Sequence, residues 1–144
     1  MKKRAKAGRN WAKYLVSSSK GNGAAGCDKG NGSARPEPLE FDITWQWIEQ
    51  QFEKQDRRCY YTRYPINPYS CFDTGNRLAI SVDRVDSKKG YTMDNVVLTC
   101  SYVNIGLGSI DPEEKWRIIN IMHPPEVVKQ FEQMETWGGA RLVL

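Results

Sequence analysis

Histidine is almost missing from this chain of 144 residues: His123 is the only one. It stands beside Pro124-Pro125 at a helix end and reads as structural. Long apolar runs are missing too, which excludes a membrane-spanning helix. No apolar stretch follows the basic start Met1-Lys2-Lys3-Arg4, so no secretory signal peptide is expected and the expected compartment is cytoplasmic. Four cysteines without an export signal read as reduced thiols, not as a disulfide framework. Acids are scarce in one place only. Residues 1–35 carry nine Lys or Arg against the single acid Asp28, whereas residues 36–144 carry twelve bases against sixteen acids. A basic segment on an acidic body suits either a polyanion partner or a solubilising tail, and charge does not choose between them.

What is present is enough for one folded domain: 40% apolar and 26% charged residues exclude a wholly disordered chain. Trp11, Tyr14 and Leu15 lie at helical spacing among basic residues, a short amphipathic helix at most. Residues 17–38 are dominated by Gly, Ser, Asn, Ala and Pro and read as a linker, so the folded body is expected to start near Leu39. After the extended entry Phe41–Thr44, Trp45, Ile48 and Phe52 predict an amphipathic helix over 44–55. Residues 57–76 read as irregular. Leu78, Ile80 and Val82 alternate with smaller or polar residues as in a half-buried strand, residues 84–94 form a polar loop, and Val96–Cys100 is a second strand. Asp111-Pro112-Glu113-Glu114 starts a helix carrying Trp116, Ile119 and Met122 that stops at Pro124-Pro125. A last helix near 125–136 ends at Gly138-Gly139.

The most informative stretch is DRVDSKKGYTMDNVVLTCSYVN, residues 83–104. Together with FDITWQWIEQQF and RRCYYTRYPI upstream and the acidic helix start at Asp111, it resembles the HNH (His-Me finger, ββα-metal) endonuclease superfamily, in particular small phage-type members with DR in place of DH. The resemblance spans roughly residues 39–123, and its blocks agree in order and spacing. It implies an α+β domain with a ββα-metal core, two hairpin strands plus a helix, flanked by helices. Residues 1–38 would be a flexible basic arm and linker, and 39–144 the nuclease domain with C-terminal helices. It implies metal-dependent hydrolysis or nicking of DNA, expected to be double-stranded, in a bacterial host or phage-infected cell. A homodimer is compatible with it.

Spacing offers a physical reason for the metal. Asp83 ends the first strand and Asn104 lies 21 residues on, four past the second strand. Strand, loop, strand and helix start would bring a carboxylate and an amide oxygen to one hard-cation site, suited to Mg²⁺ or Mn²⁺. Each residue taken singly is also a common turn or cap residue. Where relatives carry the general-base histidine, this chain has Arg84, which stays protonated and suits clamping a phosphate. Tyr61 is then a candidate nucleophile or base, or else a core aromatic. Asn95 would brace the inter-strand loop, and Asp86 would fix that loop or touch the metal. Asp83 and Arg84 can serve one site only if the strand ends or bulges there, because successive strand residues face opposite ways.

Two further departures are visible. The positions of the relatives' C-x-x-C pairs read Cys59…Thr62 and Cys100…Val103, so no structural zinc is expected, and Cys59 and Cys100 should be small buried neighbours. Leu107 stands where relatives place a basic residue three after the asparagine. DNA contacts are expected from Lys2, Lys3, Arg4, Lys6, Arg9, Lys88 and Lys89. A competing reading is an HNH scaffold without catalysis that binds nucleic acid.

Overall fold

An antiparallel hairpin lies at the centre: β1 (Ile80–Arg84) pairs with β2 (Val96–Cys100), from Ile80 opposite Cys100 to Arg84 opposite Val96. The computed structural model describes residues 10–27 and 34–137. Lys2, Lys3, Arg4, Lys6 and Arg9, and the expected helix stop at Gly138-Gly139, lie outside the described residues. β2 is apolar apart from Thr99 and is buried along its whole length. Its outer edge is closed by a side chain: Gln55 Nε2 donates to the Leu98 carbonyl at 2.9 Å and Gln55 Oε1 accepts from Leu98 N at 3.0 Å. The Gln55 amide thereby supplies the donor and acceptor of a missing third strand. β1 sits two residues later than Leu78 suggests. Asn76 Oδ1 accepts from Leu78 N at 2.9 Å, which holds Leu78 in a turn with its side chain exposed.

The helix expected after the entry segment is α2 (Trp45–Lys54), capped by Thr44 Oγ1 and burying Ile48 and Phe52. Before it lies α1 (Trp11–Asn22), which corrects the expected arm and linker. Asn10 caps it, Ala12, Leu15 and Ser19 are buried, and Trp11 meets the Phe52 ring edge-on at 5.2 Å. Its last turns, rich in Ser and Gly, have poor helix propensity, and packing on α2 and the Pro68–Phe72 3₁₀ turn outweighs that weakness. Among the described residues the folded unit therefore reaches back to Asn10, and the expected boundary near Leu39 falls inside it.

After β2 the chain enters α3 (Ser101–Leu107), only two turns long, then α4 (Pro112–Met122) and α5 (Pro125–Gln133). Asp111 caps α4 as expected, but the buried residues are Lys115 and Ile119, while Trp116 and Met122 are exposed. The inward stripe is thus rotated from the one that the apolar pattern suggests. α5 buries no residue completely. It is anchored by Arg58, whose guanidinium donates to the carbonyls of Phe131, Glu132 and Met134 at its C-terminal end. The Phe131 carbonyl also accepts from Met134 N at 3.1 Å, and a cation at this end complements the negative end of the helix dipole.

The architecture is α+β, and its strand–strand–helix order over β1, β2 and α3 is compatible with the ββα arrangement that the resemblance implies. None of the described helices is long and apolar enough to cross a membrane.

Candidate functional site

β1 is regular through Arg84, with each residue paired to β2, so Asp83 and Arg84 leave opposite faces of the hairpin. The bulge that would bring them to one site is absent from this pairing. Arg84 turns back over its own loop. Its Nη1 donates to the carbonyls of Ser87 (2.8 Å) and Lys89 (3.0 Å), and its guanidinium lies 5.1 Å from the Tyr91 ring centroid. Arg84 is a loop clamp here, with Nη1 shared between two backbone carbonyls.

Asp83 is closed off on its own side. Its Oδ2 accepts from Lys115 Nζ at 2.9 Å, and both side chains are only 1% exposed. The Lys115 ammonium also lies 5.2 Å from the centroid of the Tyr61 ring. That ring is buried and packs edge-on against Trp116 at 5.0 Å and Tyr60 at 5.1 Å. Burial raises the Asp83 carboxyl above the usual carboxylate range, with Lys115, Tyr61 and Arg84 pulling against it. Burial, reinforced by the Asp83 charge, pushes the Tyr61 phenol up as well. The Tyr61 hydroxyl lies close to Asp83 without a hydrogen bond of good geometry. These surroundings keep Tyr61 a neutral phenol, the opposite of what a nucleophile or base requires.

Asn104 serves the same hairpin differently. From α3 its Nδ2 donates to Ser81 Oγ at 2.7 Å and to the Val82 carbonyl at 3.2 Å, tying the helix to β1. Asn104 and Ser81 border a polar cavity of about 250 Å³ together with Tyr14, Ser18 and Asn22 of α1, and Asp83 is not among its walls. The two expected metal ligands thus have separate partners.

The loop between the strands is organised by Asn95. Its Oδ1 accepts from Asp86 N at 2.9 Å, and its Nδ2 donates to the carbonyls of Asp86 (3.0 Å) and Gly90 (2.9 Å). Asp86 Oδ1 accepts from Lys88 N at 2.9 Å, an Asx turn that leaves Lys88 and Lys89 exposed at the tip. Gly90 is required because the chain crosses the entry segment there: Tyr91 N donates to the Glu40 carbonyl at 2.8 Å, and a Cβ at Gly90 would strike the Glu40 backbone.

Cys59 and Cys100 are buried neighbours, with Cys100 N donating to Cys59 Sγ at 3.4 Å. Burial opposes ionisation of Cys59. Hydrogen bonds from the side chains and backbones of Cys100 and Thr62 outweigh it and lower that thiol to about 6. The hydrogen bond to Cys59, with burial, pushes the Cys100 thiol up. Away from Asp83, His123 bridges Tyr102 Oη (3.0 Å, at Nε2) and the Ile119 carbonyl (3.3 Å, at Nδ1), closing the end of α4.

A hydrated divalent cation needs several oxygen ligands with room for water. Asp83 is almost wholly buried, with Lys115 already on Oδ2. Among the described residues no group of three or more His, Cys, Asp or Glu is placed to hold a metal ion. As folded, these residues do not fit Mg²⁺ at Asp83.

Three decisive side chains escaped the sequence reading: Lys115, Gln55 and Arg58. All are long and polar, the kind ordinarily assigned to a solvated helix face. Lys115 carried one usable signal: with Ile119 it forms an i, i+4 pair on α4, and a lysine in an inward stripe demands an anion.

Fold and site define an α+β domain with a closed buried ion pair on one face of its hairpin and a clamped polar loop that exposes Lys88 and Lys89 at its tip. No family model matches the chain, and no curated protein and no solved structure is significantly similar to it.

Proposed function

We propose that this protein is a DNA-binding module on an HNH-type ββα frame, with its carboxylate site closed by an internal ion pair. The observation that carries this reading is the Lys115–Asp83 pair, buried on the hairpin face opposite Arg84. A carboxylate neutralised and shielded in this way is no phosphate-cleaving centre, whereas the loop it leaves untouched is suited to phosphate contact. Asn95 and Arg84 hold that loop in one shape, and Lys88 and Lys89 stand exposed on it. Lysines on a fixed loop position a protein on a duplex without reading sequence. The excess of eight positive charges over residues 1–35 adds salt-sensitive affinity of the same kind.

A second reading is the metal-dependent endonuclease, with Asp83 and Asn104 on Mg²⁺ or Mn²⁺, Arg84 on the scissile phosphate and Tyr61 as nucleophile or base. It is favoured by the binding of Asn104 to the strand that carries Asp83. It requires Lys115 to leave Asp83 and Arg84 to leave its loop.

Fluorescence anisotropy with a labelled DNA duplex tests the binding reading. Affinity is expected to fall steeply with salt, and Lys88→Ala/Lys89→Ala to reduce the log–log salt slope by about 2, roughly one for each phosphate that a lysine no longer neutralises. Absence of binding at low salt, or an unchanged slope in the double variant, would remove this reading of the loop.

A further inference from the structure

We infer that the Lys115 ammonium is the resident cation of the Asp83 site, a protein-supplied charge that takes the place of a divalent metal and excludes one. It rests on the HNH-type reading only for where a metal would be sought; the ion pair stands without it.

The placement of Lys115 is not that of a surface lysine that has folded inward. Its backbone N donates to the Asp111 carbonyl at 2.8 Å in the first turn of α4, a turn fixed by the Asp111 cap and Pro112. From there its side chain, 1% exposed, ends 2.9 Å from Asp83 Oδ2 and over the face of the Tyr61 ring. Carboxylate on one side and π-face on another give a cation the two kinds of partner that offset its desolvation. Trp116, the next residue, packs on Tyr61 and flanks the pair. Asp83 thus meets its charge requirement inside the protein. A divalent ion approaching the carboxylate would meet the repulsion of a fixed ammonium at hydrogen-bond distance from its ligand, without water's screening.

The exclusion has a specific consequence. Removing the ammonium together with its stem leaves Asp83 as an uncompensated carboxylate beside the Tyr61 hydroxyl and opens space for water next to it. A divalent cation can then stabilise it by binding with its own waters. Lys115→Ala is the appropriate change, since it removes the charge and donors and vacates the volume that a hydrated cation needs.

Mn²⁺ is the probe, with free ion followed by electron paramagnetic resonance and no DNA present. Full-length wild type and Asp83→Asn are expected to take up the same amount of Mn²⁺. Lys115→Ala is expected to gain one Mn²⁺ per chain, and Lys115→Ala/Asp83→Asn to lose it again. Stoichiometric Mn²⁺ on wild type that disappears in Asp83→Asn would overturn the inference, because the ammonium would not be excluding metal. A folded Lys115→Ala that binds no more Mn²⁺ than wild type would overturn it as well. If Lys115→Ala does not fold, the wild-type and Asp83→Asn comparison decides alone. Failure here leaves the DNA-binding reading to its own anisotropy test, which uses no metal.

Discussion

Lys115→Ala is expected to cost about 3–5 kcal/mol of folding free energy, the range for removing one partner of a buried ion pair. The cost comes from what is left behind: Asp83, 1% exposed beside Lys115 in the wild type, loses the cation against its charge. Urea denaturation of wild type and variant measures it. Replacing both partners, as in Lys115→Met/Asp83→Leu, should bring stability back to near the wild-type value or above, because desolvation of both charges is removed together. The deficit of Lys115→Ala should also depend on pH with a definite sign. Burial already raises the Asp83 carboxyl, and Lys115 is the largest influence pulling it down, so its removal raises the carboxyl further. A carboxyl raised on folding favours the folded state below its unfolded pKa and loses that contribution as pH rises through its folded one. The deficit should therefore be greatest near neutrality and shrink as the solution is acidified. A loss under about 1 kcal/mol, typical of an exposed pair, would mean that Lys115 is solvated.

Asn95→Ala is expected to cost about 3 kcal/mol, from three hydrogen bonds at roughly 1 kcal/mol each. The amide of Asn95, at one end of the inter-strand loop, reaches Asp86 near the other end and Gly90 in the middle. Asn95→Asp is a discriminating companion. It keeps the acceptor for Asp86 N but turns an oxygen towards two carbonyls, so it should lose nearly as much. DNA affinity should fall with loop order in both variants, measured by anisotropy at a temperature where each remains folded. An Asn95→Ala protein with full stability and affinity would show that the loop holds its shape without the brace.

Much of this architecture is legible in the residues. Thr44 with Trp45, Ile48 and Phe52 marks α2, the apolar run Val96–Cys100 marks β2, and Asp111-Pro112 marks the start of α4; each signal is local and lies within its own element. What escaped depends on contacts made at a distance. The Ser- and Gly-rich half of α1 is helical because Leu15 and Ser19 pack inward. Gln55 is buried because β2 needs an edge partner 43 residues away. The Asp83 site followed the same pattern. Spacing along residues 83–104 placed the carboxylate near the end of β1, but the cation that meets it comes from position 115, outside the motif. Arg84 shows how a single geometric condition decides a site: the strand stayed regular, and the residue faced away.

On the proposed reading, this hairpin holds DNA through its loop while its carboxylate is closed to metal. Incubation of purified protein with supercoiled plasmid, with Mg²⁺, with Mn²⁺ and with chelator, tests it most directly when retardation and nicking are read from the same gel. The account predicts salt-sensitive retardation in all three conditions and no nicked or linear product in any. Nicking that appears with Mg²⁺ or Mn²⁺, disappears with chelator and is abolished by Asp83→Ala in a folded protein would contradict it, and would show that Lys115 yields its place to the metal.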